Sequence, residues 1–354
     1  MFCTGLFSSE WTLTESQYNE NFYYYTVSAA PQGYESTIGT NVYAWTSRTN
    51  YKNLYSEQSL DKILEFLDAG KFELQPADGY DIIYLPLEFI DLSKCIISKA
   101  QLDYIWNTMS KHYAGFDDMK KKGFSKENFY KVTTALELKD LFDKYMEDCH
   151  FNLVAGDLVY NQPTARDEGF FPSEDEYGTY FEKETSNAYY VRFNECQSAV
   201  YLKNFKNVGK KALNKKYLIL DARTNGGGNN RPQQQVRNYL NSKKYKGTVV
   251  ILQDNRSCSS GEVMEMFDKS KCNFKVLLVG THSAGMQNYG NVQEYQDKNV
   301  FVYLRMGRTS FRNSIPSNYL GEGKGYKPDV WATTQNMKSV LEGLGIDTAD
   351  IEFK

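Results

Sequence analysis

Several common functional signals are scarce in this sequence. It has three histidines and six cysteines among 354 residues, and the cysteines are scattered without CxxC spacing. Cysteines at that spacing are typical of zinc sites and redox motifs, so the sequence predicts neither, and a disulfide framework is not expected at this size. No motif indicates a metal or an organic cofactor.

Long apolar runs and concentrated charge are absent too. No stretch approaches the roughly 18 apolar residues of a membrane-spanning helix. The 41 basic and 44 acidic residues give a net charge of −3, which gives no reason to expect a nucleic acid or an anionic membrane as partner. Residues 1–7 lack a basic n-region and a full apolar h-region, so no intact secretory signal is read in this chain.

The rest of the composition is that of a folded protein. With 354 residues and 41% apolar content, the chain exceeds what one small core needs. Residues 1–95 are rich in Tyr, Thr, Ser and Asn, with strand-like runs at 21–27 and 80–85 around a helix at 60–69. We therefore predict a smaller mixed α/β region over residues 1–95, with no identified chemistry, and a second unit over residues 96–354.

The second unit is predicted to begin with helices. Apolar residues at helical spacing indicate one helix that starts at Ser98 and another that extends from Ser125 to Tyr145. A strand at 189–193 and a helix at 199–208 are predicted to follow. This order places a helical segment before the part of the chain that carries the candidate chemistry.

Three short segments then follow aliphatic runs directly. They are Asp221-Ala-Arg-Thr-Asn-Gly-Gly-Gly228, Ser257-Cys-Ser-Ser-Gly-Glu262 and Gly280-Thr-His-Ser-Ala-Gly285. The aliphatic runs that precede them are typical of strands buried on both faces. Because loops at the carboxyl ends of neighbouring parallel strands meet at one edge of a sheet, the sequence predicts an α/β fold in which the three segments converge on one cleft.

Ser259 is the candidate nucleophile in this cleft. An amphipathic helix is predicted directly after it, which would place its hydroxyl at a helix amino terminus, where the amide of Ser260 could stabilise an oxyanion. The alternative is structural, because Ser259 and Glu262 also match a capping box whose side chains merely satisfy first-turn amides. Both interpretations remain open from these residues alone.

The triple glycine Gly226–Gly228 offers a second oxyanion donor. Without side chains, the amides of this loop could approach a substrate carbonyl closely, although the same glycines would suit a tight turn. A phosphate-binding role is weaker, because the chain has neither a GxGxxG nor a GxxxxGK[ST] pattern there. The combination of serine and glycine loops favours acyl-transfer chemistry.

A serine nucleophile needs a base, and the three histidines are His112, His150 and His282. His150 follows a predicted helix and could project into a cleft, although a histidine at a helix carboxyl terminus is also favourable in itself. Glu322, in a glycine-flanked loop, is the candidate for the carboxylate that usually holds such a base in one tautomer.

Taken together, these segments resemble the carboxy-terminal processing peptidases, also called tail-specific proteases, and their tricorn-type relatives. The similarity extends from about Leu102 to Trp331. It is carried by the three segments above, by Asp148-Cys-His150 and by Glu322-Gly-Lys-Gly-Tyr-Lys-Pro-Asp329. The resemblance implies the spiral of ββα units that these proteins share with the Clp protease and crotonase groups.

The resemblance also implies roles for the site residues. Ser259 matches the nucleophile, and the amide of Ser260 with one from Gly226 or Gly227 matches the oxyanion hole. In the tricorn-like branch a histidine and a glutamate complete the site, and His150 and Glu322 match them.

This sequence differs from the family pattern at three points. The processing-protease branch has a lysine directly after the 280–285 segment, where this chain has Met286, so a Ser–Lys dyad is not available. Cys149 stands where the tricorn-like branch often has a hydroxyl residue. Only about 70 residues separate His150 from Asp221, which leaves too little room for a PDZ domain. Capture of a carboxyl-terminal tail by such a domain is therefore not implied.

The sequence thus predicts a serine endopeptidase of the tricorn-like branch that acts on peptides or unfolded proteins. An esterase with the same triad, a non-catalytic ligand-binding protein on the same fold, as in a related retinoid-binding group, and a purely structural protein are the alternatives. Export from the cell is expected from the resemblance, and the sequence indicates no oligomeric state.

Overall fold

The computed structural model describes residues 10–19, 22–35, 39, 41–43, 64, 67–70, 73–77, 80–84, 92–156, 158–162 and 180–353. Strands in these residues form three sheets, with α-helices between and around them. The predicted α/β fold class is confirmed.

The first sheet lies in the N-terminal region and has five strands in the order β1-β2-β3-β5-β4. The strands are β1 (Thr12–Asn19), β2 (Phe22–Ala29), β3 (Asn41–Tyr43), β4 (Glu73–Ala77) and β5 (Tyr80–Tyr84). The strands predicted at 21–27 and 80–85 are confirmed as β2 and β5. The helix predicted at 60–69 lies largely outside the described residues.

The helical segment follows, with α1 (Lys99–His112), α2 (Phe116–Lys121), α3 (Lys126–Phe129) and α4 (Ala135–Tyr145). Helix α1 begins as predicted at Ser98, whose hydroxyl accepts a hydrogen bond from the Gln101 amide while the Gln101 side chain accepts one from the Ser98 amide. This reciprocal pair is a capping box.

The prediction of one helix from Ser125 to Tyr145 is wrong, because the chain breaks into α3 and α4. The Thr134 hydroxyl accepts a hydrogen bond from the Glu137 amide, and the Glu137 carboxylate accepts one from the Thr134 amide. A second capping box therefore starts a new helix. The preceding Val132 and Thr133 are β-branched and disfavour helix continuation.

The second sheet has four strands in the order β13-β14-β6-β7 and packs one face on these helices. The strands are β6 (Asn152–Ala155), β7 (Leu158–Asn161), β13 (Tyr289–Asp297) and β14 (Val302–Ser310). Leu304 and Met306 of β14 and Phe151 before β6 lie fully buried in a core with Phe142 of α4. This core fixes the start of β6, which lies two residues after His150.

The third sheet has six strands in the order β15-β12-β11-β10-β9-β8. They are β8 (Tyr180–Glu184), β9 (Ala188–Phe193), β10 (Tyr217–Asp221), β11 (Thr248–Gln253), β12 (Lys275–Gly280) and β15 (Val330–Trp331). Strand β8 pairs antiparallel with β9, and the other neighbours pair in parallel. Every residue of β10 is buried, between one apolar core on each face. The predicted strands after residue 188 are confirmed.

Two connections of this sheet, β9 to β10 and β10 to β11, contain α-helices. Helices α5 (Ala199–Asn204) and α6 (Val208–Ala212) flank a 3-10 turn (Phe205–Asn207), and α7 (Arg231–Ser242) has Pro232 in its first turn. The last helix is α8 (Met337–Gly343), and further 3-10 turns lie at Lys269–Lys271, Arg312–Ser314 and Thr334–Asn336.

The amphipathic helix predicted after Ser259 is wrong. Two short 3-10 turns (Ser259–Gly261 and Val263–Glu265) stand there instead. Ser259 has a left-handed backbone (φ 52°) and Glu262 a non-helical one (φ −78°, ψ 71°), so an α-helix cannot pass through either. Val263 and Met264 still enter the core that the pattern predicted for them.

The division of the chain near residue 95 stays a prediction. The amides of Ala135 and Leu136 donate hydrogen bonds to the carbonyls of Cys95 and Leu92, so residues from Leu92 onward already pair with the helical segment. Within the described ranges, no helix has the length and apolar character needed to cross a membrane.

Candidate active site

Two of the three predicted loops are tied together at the carboxyl end of the six-stranded sheet. Asp254, after β11, accepts hydrogen bonds at Oδ1 from the Thr224 amide (2.9 Å) and from the Ser257 amide (3.1 Å). The Ser257 hydroxyl donates to the Ala222 carbonyl (2.8 Å), and the Cys258 amide donates to the Asn225 carbonyl (2.9 Å). The serine loop is therefore held against the glycine loop by polar contacts to its backbone.

The first of these loops is also anchored by a buried ion pair. The Arg223 guanidinium donates two hydrogen bonds to Asp221, at 2.9 and 2.7 Å, and the Tyr190 hydroxyl donates a third at 2.7 Å. Burial alone would raise the pKa of Asp221, but Arg223 holds it below its usual value. Asp221 is therefore an anchor of the loop that carries the glycines.

Ser259, at the carboxyl end of the six-stranded sheet, has a strained backbone conformation. Its φ of 52° lies in the left-handed region, which non-glycine residues adopt at a cost and mostly at functional sites. The Glu262 amide donates to the Ser259 carbonyl, and the Ser259 hydroxyl has no hydrogen-bond partner among the described residues. The capping-box interpretation is therefore wrong.

The glycine loop packs directly on Ser259. A Cβ on Gly227 (φ 92°) would lie 2.8 Å from the Ser259 Cβ, so only glycine fits there. The Gly226 amide donates to the Asn194 carbonyl (3.0 Å) and the Gly227 amide to Asn225 Oδ1 (2.8 Å). Both predicted glycine donors are thus engaged inside the loop.

Two other amides remain available at this point. Within the described part of the chain, neither the Gly228 amide nor the Ser260 amide has an acceptor. The Ser260 hydroxyl donates to the Gly228 carbonyl (2.7 Å), which places the two residues side by side. Ser260 was predicted as a donor. Gly228 was missed, because nothing in a run of three glycines distinguishes one amide from the next.

His150 is a buried imidazole without a hydrogen bond. Its side chain is 3% exposed, and neither ring nitrogen has a hydrogen-bond partner among the described residues. Its backbone is fixed on both sides, because its amide donates to Asp148 Oδ1 (2.8 Å) and its carbonyl accepts from Arg305 Nη1 (3.1 Å). An unpaired buried polar ring is costly, which favours a role for these nitrogens with a bound molecule.

The carboxylate nearest the imidazole is Asp148. Its Oδ1 lies 3.4 Å from His150 Nδ1, and its Oδ2 accepts a hydrogen bond from the Gly307 amide (3.0 Å). Asp148 is fully buried. Sequence reasoning missed this role, although the Asp148-Cys-His150 step contained the residue.

Glu322 contacts Cys149, the residue before His150, and not the imidazole itself. Its carboxylate accepts hydrogen bonds from the Asn288 amide (2.5 Å), the Tyr319 hydroxyl (3.2 Å) and the Cys149 amide (3.1 Å), and it also bonds the Cys149 thiol. No hydrogen bond joins it to His150 within the described residues. Burial, and then the charge of Asp148, raise the pKa of Glu322 to about 8.

Cys149 connects Glu322 to His150 along the chain. Burial and the nearby Glu322 raise the pKa of its thiol far above the usual value, so the thiol stays protonated and can donate. The structure therefore places a hydrogen-bond donor where the family often has a hydroxyl. The assignment of Glu322 as the group that stabilises the imidazolium stays a prediction.

A second buried carboxyl, Glu262, holds the loop after β12. It accepts hydrogen bonds from the Ser283 hydroxyl (2.6 Å) and the amides of Gly285 (3.0 Å) and Met286 (2.7 Å). Burial raises its pKa to about 7. The Gln287 side chain donates to both Glu262 and the Ser259 carbonyl, so this loop is tied to the candidate nucleophile.

Ser259, His150 and Gly228 line one cavity of about 850 Å³, which also includes Arg305 and Met286. Met286 packs in an apolar cluster with Cys149 and supplies no base. The other histidines lie elsewhere. The His112 ring stacks on Tyr295 with centroids 4.8 Å apart, and the His282 ring packs against Trp331 at 5.8 Å.

The site resembles no obvious metal centre. Among the residues that the structure describes, no group of three or more His, Cys, Asp or Glu side chains is placed to hold a metal ion. The groups at this cavity that could take part in chemistry are the Ser259 hydroxyl, the His150 imidazole with the nearby carboxyls of Asp148 and Glu322, and the amides of Gly228 and Ser260.

No protein-family model and no curated protein matches the chain. Among solved structures, a candidate peptidase from Parabacteroides merdae is 15% identical, with a TM-score of 0.44 over 71% of this chain and 98% of that one. A lipoprotein from Streptococcus agalactiae is 13% identical, with a TM-score of 0.40 over 70% and 97%. The tricorn protease is 15% identical, with a TM-score of 0.32 over 45% of this chain and 18% of that one.

Two of these three structures are described as peptidases. At TM-scores below 0.5 they carry no argument about activity.

Proposed function

We propose that the protein is a serine peptidase whose nucleophile is Ser259 and whose base is His150. The observation that carries this proposal is that one cavity is lined by a strained serine, whose hydroxyl has no hydrogen bond to a described residue, and by a buried imidazole, whose two nitrogens have none either. A serine hydroxyl becomes a useful nucleophile only when a base takes its proton. Catalytic hydrogen bonds are often longer in the free enzyme and shorten when substrate binds.

In the proposed reaction Ser259 attacks the scissile carbonyl while His150 accepts its proton. His150 then gives the proton to the leaving amine, which separates from the acyl-enzyme, and water completes the hydrolysis. The amides of Ser260 and Gly228 are the proposed oxyanion donors. The sequence predicted the amides of Gly226 and Gly227 as donors, but each would have to break its present hydrogen bond before it could donate to an oxyanion.

Two carboxyls support the base in this proposal. Asp148 faces Nδ1 of His150 and would stabilise the imidazolium directly. Glu322 acts through Cys149, whose amide and thiol both bond it. The arrangement therefore gives Glu322 the task of positioning the segment that carries His150.

Substrates of this proposed enzyme are peptides or unfolded proteins, as the family resemblance implies. A cavity of about 850 Å³ has room for several residues of an extended chain. Location outside the cytoplasm stays a prediction from the same resemblance.

The test is covalent labelling with a fluorophosphonate probe, read by intact mass and peptide mapping. Wild type should gain one probe on Ser259, and Ser259→Ala and His150→Ala should gain none. Matched controls are Ser270→Ala, an exposed serine, and His282→Ala, the histidine outside the cavity, and both should label as wild type does.

A folded wild-type protein that takes up no probe and cleaves no peptide would contradict the proposal. It would favour a ligand-binding protein that uses the same cavity. A labelled protein that hydrolyses esters but no peptide would instead identify an esterase.

A further inference from the structure

Arg305 lies in the wall of the cavity beside His150. It belongs to β14, where its neighbours Leu304 and Met306 point into the helical core. Because successive side chains of a strand point to opposite faces, Arg305 points the other way, and it lines the cavity together with Ser259. Its Nη1 donates to the His150 carbonyl at 3.1 Å.

Glu294 of β13 stands opposite Arg305 in the register of the two strands, yet the Arg305 guanidinium forms no ion pair with a described residue. Among the described residues, no carboxylate lies within 4.0 Å of its guanidinium, whereas Arg312 nearby pairs with Glu147 and Asp118. A guanidinium has five donors in a planar fork that fits a carboxylate, and one of them is used by the His150 carbonyl. The remaining donors are available to a molecule in the cavity.

The acidic residues of the cavity, Glu195 and Glu265, come from other elements. Glu265 accepts a hydrogen bond from the Asn230 side chain (3.2 Å). Asn230 is the residue before α7, the helix that follows the glycine loop. Glu195 precedes Cys196, which bridges to Gly228. The cavity is thus cationic on the β14 side and acidic beside the glycine loop, so a bound chain meets different charges along its length.

The position of Arg305 indicates which part of a substrate it meets. In the proposed reaction His150 must reach the leaving nitrogen to protonate it. Residues that follow the scissile bond therefore lie on the His150 side of the cavity, and Arg305 is bonded to His150 itself.

We propose that Arg305 is a specificity-determining residue that binds a carboxylate on the leaving-group side of the substrate. That carboxylate is either an acidic side chain after the scissile bond or the carboxyl terminus of the peptide. The inference rests on the proposed function, since it assigns a preference to the same cavity.

The test uses peptides in matched pairs with Asp or Asn at one position, moved through the residues on either side of the cleaved bond. Each peptide is made with a free and with an amidated carboxyl terminus, which separates the two sources of charge. Wild type should show a kcat/KM roughly 10- to 100-fold higher for the charged member of a pair, only on the leaving side, as expected for one charge-assisted hydrogen bond.

The variants are Arg305→Gln, Arg305→Lys and Arg308→Gln. The first should bring the ratio of charged to neutral peptides to about one, and the second should retain part of it. Arg308 lies on the same strand, is exposed and bonds Gln293, so its substitution removes the same charge outside the cavity and should leave the ratio as in wild type. Thermal unfolding checks that each variant folds.

Binding of the same peptides to Ser259→Ala, measured by fluorescence anisotropy, gives a readout that needs no turnover. If wild type is labelled and cleaves peptides, but its kcat/KM ratio of charged to neutral peptides is near one, the role of Arg305 is overturned and the peptidase proposal stays intact. The same holds if Arg305→Gln leaves that ratio unchanged. Absence of labelling and cleavage, with binding that still depends on Arg305 and on the peptide carboxylate, overturns the peptidase and retains the carboxylate site.

Discussion

A single methyl group at Gly227 should disable the candidate nucleophile. In Gly227→Ala the new Cβ would lie 2.8 Å from the Ser259 Cβ and 3.0 Å from the Cys258 carbonyl oxygen. Carbon atoms in contact prefer about 3.5 to 4.0 Å, so Ser259 has to move by about 1 Å. A displacement of that size in a catalytic group lowers the rate by about 100-fold.

The substitution also strains the backbone, and Gly33 separates the two effects. Gly227 and Gly33 have φ values of 92° and 96°, but a Cβ on Gly33 meets nothing within 4 Å. An alanine in this region costs about 1–2 kcal/mol, so both variants should lose a few degrees in Tm. Only Gly227→Ala carries the additional clash with Ser259.

The assay is the rate of fluorophosphonate labelling together with kcat/KM for a cleaved peptide, both compared at equal folded fraction. We expect a loss of about 100-fold for Gly227→Ala and wild-type rates for Gly33→Ala. A Gly227→Ala protein that labels at the wild-type rate would refute the contact between the glycine loop and the nucleophile. An equal loss in both variants would refute the local origin of the effect.

Three further predictions concern stability. Burial raises the pKa of Glu322 to about 8 and that of Glu262 to about 7, from 4.5 in an unfolded chain, so the folded state holds these protons more tightly. The stabilising contribution of these two carboxyls is complete below pH 4.5 and is lost as the pH rises through 7 to 8. Urea unfolding from pH 5 to 9 should show this decline in the free energy of unfolding, on the order of a few kcal/mol. The decline should be smaller in Glu322→Gln. Ser259→Ala should change the free energy of unfolding by less than about 0.5 kcal/mol, because no hydrogen bond of its hydroxyl is lost, whereas removal of a helix cap costs about 1 kcal/mol. In Glu262→Ala the Ser283 hydroxyl and two amides lose their acceptor, so urea unfolding should show a loss of at least about 2 kcal/mol in the free energy of unfolding.

The buried strands were the most predictable part of the fold. Runs such as 217–220 and 248–252 have apolar side chains throughout, and only a strand covered on both faces uses such a pattern in so few residues. The structure has both faces of β10 buried. Strands that follow one another in the chain are also neighbours in this sheet from β9 to β12, which is why the convergence of the loops at one edge could be expected.

Local backbone conformation was less predictable. The sequence around Ser259 has the spacing of an amphipathic helix and of a capping box, yet Ser259 adopts a left-handed conformation. Contacts remote in sequence decide this, since Gln287 bonds the Ser259 carbonyl and Gly227 packs on its Cβ. Nothing within ten residues of Ser259 shows those contacts.

The partners of His150 were beyond sequence reasoning for a related reason. Asp148 and Glu322 are both carboxylates near the histidine, and their roles depend on which atom each one reaches. Asp148 folds back toward Nδ1, while Glu322 bonds the backbone of Cys149. A sequence motif identifies the residues of such a site, but it does not order their contacts.

The two proposed catalytic residues, His150 and Ser259, lie next to strands of different sheets. His150 lies two residues before β6 of the four-stranded sheet, and Ser259 follows β11 of the six-stranded sheet. Glu322 joins the two sides, because its carboxylate accepts from Cys149 beside the histidine and from Asn288 at the end of the loop that Glu262 holds. The relative position of base and nucleophile therefore depends on hydrogen bonds to two buried carboxyls as well as on apolar packing, and this explains why such costly groups lie next to the cavity.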